Sequence, residues 1–173
     1  ISAAHKFPAL HRPKFRIADL EGFRGNAINK GVVLHELLSQ VSSENQVDKT
    51  LALASQKGLI ESKDQQQWRS EVLKIMQLPE VEYWHRQAIA ILNEQEILSR
   101  DGSLRPDKIF ILPNSVVLLD YKTGKPSAEH KKQVKSYINA IKELSANNSH
   151  FQGKSIEAFL LYTQEAKLQK VAS

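Results

Sequence analysis

The chain has 173 residues, 41% hydrophobic and 25% charged, which suits one globular domain with a sizeable core. Lys plus Arg number 24 against 19 for Asp plus Glu, a net charge of +5 that is compatible with a polyanionic partner but does not require one. Zero cysteines exclude disulfides, zinc–thiolate sites and iron–sulfur clusters within these residues, so any metal here must use oxygen or histidine ligands.

No apolar run nears the roughly 20 residues that span a bilayer, and "ISAAHKFPALHRPKF" lacks the apolar centre of a signal peptide. The expectation is a soluble, cytoplasmic protein with no membrane partner. The chain opens on Ile1 and its single methionine is Met76, the pattern expected of a piece cut from a longer protein. Residues 1–24 carry Pro8 and Pro13 and no sustained period, and read as an arm or linker; the domain proper is expected over 25–173.

From Asn26 to about Val41, "NAINKGVVLHELLSQV" spaces Ile28, Gly31, Val32, His35 and Leu38 by threes and fours, which predicts a helix with His35 on its apolar stripe. Residues 46–57 form a second expected helix, stopped by Gly58. Ser62 with Gln65 three places on predicts a capping box opening a third, through Gln77, with Trp68, Val72, Ile75 and Met76 along one side. Pro79 ends it, and a short helical piece follows over 79–86. Residues 89–99 are expected to form one strand, followed by a turn at Asp101 and Gly102.

"RPDKIFILPNSVVLLDYKTG" then holds two β-rich runs parted by Pro113, Asn114 and Ser115, the pattern of a hairpin. Successive strand residues alternate between faces, so Asp120 and Lys122 leave on one face and Tyr121 on the other. A helix from near Ser127 to Leu144 is expected to turn Val134, Tyr137, Ile138 and Ile141 inward. Residues 155–163 predict a further strand, and "AKLQKVAS" an edge strand. The order of elements is that of an α/β (α+β) domain: a small mixed β-sheet flanked by helices.

Five polar residues stand at telling places: His35 on the first helix, Glu96 on the first strand, Asp107 on the second, and Asp120 with Lys122 on the third. Each alone has an ordinary explanation, as a satisfied core histidine, a solvated acid or a surface ion pair. Their convergence points elsewhere. Carboxylates on adjacent strands repel unless a cation lies between them, and a hard divalent ion, Mg2+ or Mn2+, is the economical choice.

The residues also match a known pattern. Pro106-Asp107, twelve residues, then Asp120-Tyr121-Lys122 resembles the PD-(D/E)xK nuclease motif in its D-x-K form. "GVVLHELL" resembles the G-x-x-x-H helix of RecB and AddA type nuclease domains, and "DYKTG" followed by "QVKSY" resembles their D-Y-K-[ST]-G and Q-x-x-x-Y elements. Together these span roughly residues 25 to 140.

The resemblance implies a restriction-endonuclease-like core and metal-dependent DNA cleavage leaving 5′-phosphates. It implies His35, Asp107, Asp120 and the carbonyl of Tyr121 as metal ligands, Lys122 as the catalytic lysine, and supporting roles for Glu96, Gln133 and Tyr137. The implied partners are DNA, as single strands or duplex ends, and a covalently linked UvrD/Rep-like helicase engaged in end processing and recombinational repair. Lys125, His130, Lys131, Lys132 and Lys135 around the site are either a solvated helix face or a phosphate-tracking surface. Two departures stand out: Leu104 where relatives often have glycine three residues before the first acid, and the lack of cysteines, which resembles the cluster-free branch. The rival reading is a catalytically inactive nuclease-like module that binds DNA and guides strands in a helicase complex. A small-molecule metal hydrolase has less in its favour.

Overall fold

The computed structural model describes residues 27–99, 102–146 and 148–172. The expected arm over 1–24 lies outside the described residues, as does Asp101 of the expected turn. Four helices come first: α1 (Ala27–Gln40), α2 (Val47–Gln56), α3 (Gln65–Met76) and α4 (Pro79–Gln87). Then follow β1 (Ala90–Asn93), β2 (Ile97–Ser99), β3 (Gly102–Leu104), β4 (Lys108–Ile111), β5 (Ser115–Lys122), α5 (Ala128–Ser145), β6 (Ser155–Tyr162) and β7 (Lys167–Val171). Among the described residues no helix is long and apolar enough to cross a membrane.

The domain is a mixed α/β fold around a sheet ordered β1-β4-β5-β6-β7. Neighbours are antiparallel except β5 and β6, which run parallel across the α5 crossover. β2 and β3 form a separate antiparallel pair. The strands at the centre read as near-continuous apolar runs because both faces are covered. On one face Phe110, Val117, Leu119 and Tyr121 meet Leu34, Leu37, Leu38, Val72, Ile75 and Trp84 of the first helices. On the other, Ile109, Val116, Leu118 and Leu160 meet Val134, Tyr137, Ile138 and Ile141 of α5, the stripe expected for that helix.

Three local expectations are corrected. The strand expected over 89–99 is broken at Glu94, whose φ of 46° is left-handed and ends the extended run, so β1 and β2 enter different sheets. Ser62 does not cap α3: it sits in a 3-10 turn over Ser62–Asp64, and its hydroxyl pairs with that of Ser55 at 2.8 Å. Val32, placed on the inner stripe of α1, is 51% exposed, because the helix turns Leu34 and Leu37 inward beside the expected Leu38. The cap of α5 is present: the Ser127 hydroxyl accepts from the His130 N–H at 3.3 Å.

Candidate active site

The antiparallel register of β4 and β5 assembles the site. Lys108 faces Leu119 in the ladder, and one step further Asp107 and Asp120 stand opposite each other. Directly opposed residues bring their Cβ atoms to about 5 Å, so the twelve-residue spacing is the length of a hairpin that returns one acid to the other. Asp120 and Lys122 project on the α5 face and Tyr121 on the opposite one, as strand alternation requires. Asp107 and Asp120 are both buried.

α1 delivers the third group. Gly31 and His35 are four residues apart and share a helix face. At Gly31 the helix presses on the segment after β5, so that a Cβ there would come within 2.7 Å of the Thr123 Cβ. The glycine is therefore what lets α1 sit close enough for His35 Nε2 to reach Asp107 Oδ1 at 2.8 Å. The other oxygen, Asp107 Oδ2, accepts the Tyr121 backbone N–H at 2.6 Å. In an extended strand a residue's N–H and C=O leave on the same side, so the Tyr121 carbonyl is directed toward the same edge as Asp107. Burial pulls the His35 imidazole down, but its hydrogen bond to Asp107 and the charges of Asp107, Glu94 and Asp120 outweigh burial and raise it above its ordinary range.

On the α5 face a directed chain of hydrogen bonds holds Lys122. The Tyr137 hydroxyl donates to the Arg105 carbonyl at 3.3 Å and so accepts from Gln133 Nε2 at 2.7 Å. This turns Gln133 Oε1 toward Lys122, whose Nζ donates to it at 2.8 Å. Burial, with Asp120 and Asp107 nearby, pushes the Tyr137 hydroxyl well above the usual phenol range, which keeps it a neutral donor. Lys122 Nζ also lies 2.6 Å from Asp120 Oδ2. That oxygen is buried, and its contact is this ion pair. Burial first, and the charge of Asp107 second, raise the Asp120 carboxyl to about 6, against the opposing pull of Lys122 and His35. An open cavity of about 320 Å3 adjoins the site, lined by Gly31, Val32, His35, Tyr121, Lys122, Thr123, Gly124 and His130.

His35, Asp107, Asp120, Tyr121, Lys122, Gln133 and Tyr137 thus come together. Glu96 does not: it follows the break at Glu94, is exposed, and takes a short hydrogen bond from the Ser103 hydroxyl. The acid nearer the centre is Glu94, whose charge acts on His35 and whose N–H donates to the Asp107 carbonyl at 2.9 Å. The sequence signals the break only through Asn93 at the end of β1, because Glu94 itself is not a residue that favours left-handed backbone. Lys108 was also missed, although its alternation with Phe110 marks it as facing the helices.

Among the described residues no three His, Asp or Glu side chains are grouped so that they could hold a metal ion as they stand. The reason is visible in the pairing: His35 closes on Asp107, and Lys122 on Asp120. The donor set nonetheless fits a hard cation. Two neighbouring buried carboxylates, one of them with a raised affinity for protons, are what a divalent ion would relieve. Set against models of known protein families and against curated proteins, the chain matches none.

Proposed function

We propose that this domain is a divalent-metal-dependent deoxyribonuclease that hydrolyses phosphodiester bonds, the activity implied by its resemblance to RecB/AddA type nuclease domains. The observation that carries the reading is the buried Asp107–Asp120 pair, with the His35 imidazole on one acid and the Lys122 ammonium on the other.

Asp107, Asp120, His35 and the Tyr121 carbonyl would hold Mg2+ or Mn2+. When bound, the ion supplies positive charge for a phosphoryl oxygen and lowers the pKa of water. Lys122, held on Gln133, orients the attacking water or offsets charge as it builds on the phosphoryl oxygens. Water attacks phosphorus as the bond to the 3′-oxygen breaks and that oxygen takes up a proton, leaving a 5′-phosphate and a 3′-hydroxyl. Exposed Lys125, Lys131, Lys132 and Lys135 give a DNA strand a cationic approach to the site. In the fuller reading the domain trims DNA ends as an exonuclease, joined to a UvrD/Rep-like helicase in the cytoplasm.

The competing reading is an inactive DNA-binding module, and the closing of both acids on internal cations is what favours it. End-labelled single- and double-stranded DNA, incubated with Mg2+, Mn2+ or EDTA, separates the two. The nuclease reading expects cleavage in either metal, none in EDTA, and loss of cleavage in Lys122→Ala with DNA binding retained. DNA binding without cleavage in any metal, unchanged by Lys122→Ala, would replace it with the binding module.

A further inference from the structure

Lys108 is the one buried lysine or arginine among the described residues, at 1% exposure, and burial lowers its ammonium to about 7. Among the described residues no carboxylate forms a salt bridge with it. Its Nζ instead donates to the Leu38 carbonyl at 2.9 Å and the Val41 carbonyl at 2.6 Å, at the C-terminal end of α1. Those carbonyls belong to the last turn, where a helix has no partners of its own for its acceptors and where a positive charge is favoured. Burying an ammonium is nevertheless costly, and an apolar side chain of the same length would fill the space without that cost.

What the lysine does beyond capping follows from its neighbour. Asp107 reaches His35, while Lys108 reaches Leu38 and Val41, three and six residues further on, in the last turn of α1 and just after it. One contact alone would let α1 pivot about it. Two contacts, from Asp107 and from Lys108, the first residue of β4, spaced along the helix, set both its rotation and its slide. From this geometry we propose that Lys108 is a positioning residue, which fixes α1 on β4 and thereby holds His35 against Asp107. The inference rests on reading His35 and Asp107 as site residues, but its test needs neither metal nor DNA.

Lys154 provides a matched control, since its Nζ also donates to two carbonyls, those of Leu112 and Pro113, at the turn between β4 and β5. The experiment follows the ring proton on His35 Nε2 by NMR in metal-free, histidine-labelled protein, assigned with His35→Gln. In the wild type and Lys154→Met this proton is expected to exchange slowly, protected by Asp107. In Lys108→Met, shown folded by circular dichroism, it is expected to exchange roughly tenfold faster or more, as contacts that open locally do. Unchanged exchange in Lys108→Met would overturn the proposal, and so would equal acceleration in both methionine variants. Should Lys108→Met fail to fold, Lys108→Gln keeps one donor and is expected to show partial acceleration; wild-type exchange in that variant also overturns the proposal. Acceleration confined to Lys108 variants, in a protein that cleaves no DNA, would leave the positioning role standing and remove the nuclease reading.

Discussion

Asp107 is a structural as well as a chemical residue, and two substitutions separate those roles. In Asp107→Ala the Tyr121 N–H loses its acceptor while remaining buried, and His35 loses its partner. Stranding a buried donor costs about 1–3 kcal/mol, and a hydrogen bond to a charged group lies toward the upper end. Against this, removing one of two opposed carboxylates relieves the repulsion that raises Asp120, which returns part of the loss. The net expectation is a loss of about 2 kcal/mol, which moves the urea midpoint down by about 1 M for a denaturant slope near 2 kcal/mol per M. Asp107→Asn behaves differently: its amide oxygen still accepts from Tyr121, and its NH2 can donate to a neutral His35. It is expected to unfold within about 0.5 kcal/mol of the wild type while losing cleavage. Urea melts followed by circular dichroism in EDTA make the comparison. An alanine variant as stable as the wild type, or an asparagine variant as unstable as the alanine one, would refute the account of the Tyr121 hydrogen bond.

Two more predictions concern the supports of the site. Gly31→Ala, which in an open helix would be stabilising by up to about 1 kcal/mol, is expected here to destabilise by about 1–3 kcal/mol because its Cβ meets Thr123; a thermal melt showing a gain would mean that α1 and the segment after β5 are not in close contact. His85 is held at about 4 by burial first and the nearby Lys108 second, while its Nδ1–H donates to the Ser42 carbonyl at 2.9 Å. Its folded-state pKa lies below the unfolded value of 6.5, so its contribution is complete above 6.5 and is lost as pH falls toward 4, by about 3 kcal/mol in all. His85→Leu should flatten stability between those limits, and an unchanged slope in urea melts at pH 4 to 7 would contradict the neutral buried imidazole.

Much of the site is legible in the chain because it is carried by short-range periodicity. The four-residue step from Gly31 to His35, the two-residue step from Asp120 to Lys122 and the four-residue step from Gln133 to Tyr137 each put two side chains on one face once the element is known. Proximity between elements is harder to read. Glu94 and Glu96 lie two apart in an apparently continuous run, and only the left-handed backbone at Glu94 decides which acid stays near the centre. Lys108 was obscured for a different reason: lysine is so seldom buried that its place between Asp107 and two apolar residues reads as a strand end, until the carbonyls of α1 explain it. Ser62 shows a local pattern overridden by a tertiary partner, since Ser55 competes for its hydroxyl.

The turn joining β4 to β5 tolerates changes of kind but not of length. It is closed by the Leu112 N–H on the Ser115 carbonyl and packs no side chain against the acids, so Pro113 and Asn114, both exposed, are open to replacement. Inserting or deleting one residue there, where β5 slips against β4 to keep the same turn, would move β5 by one place and exchange its faces. Tyr121 would then point toward α5, and Asp120 and Lys122 into the apolar packing under α1. A two-residue change would restore the faces but carry Asp120 past Asp107. The count of residues in this turn is thus a functional constraint in its own right, and libraries that vary its composition at fixed length should retain activity where length variants lose it.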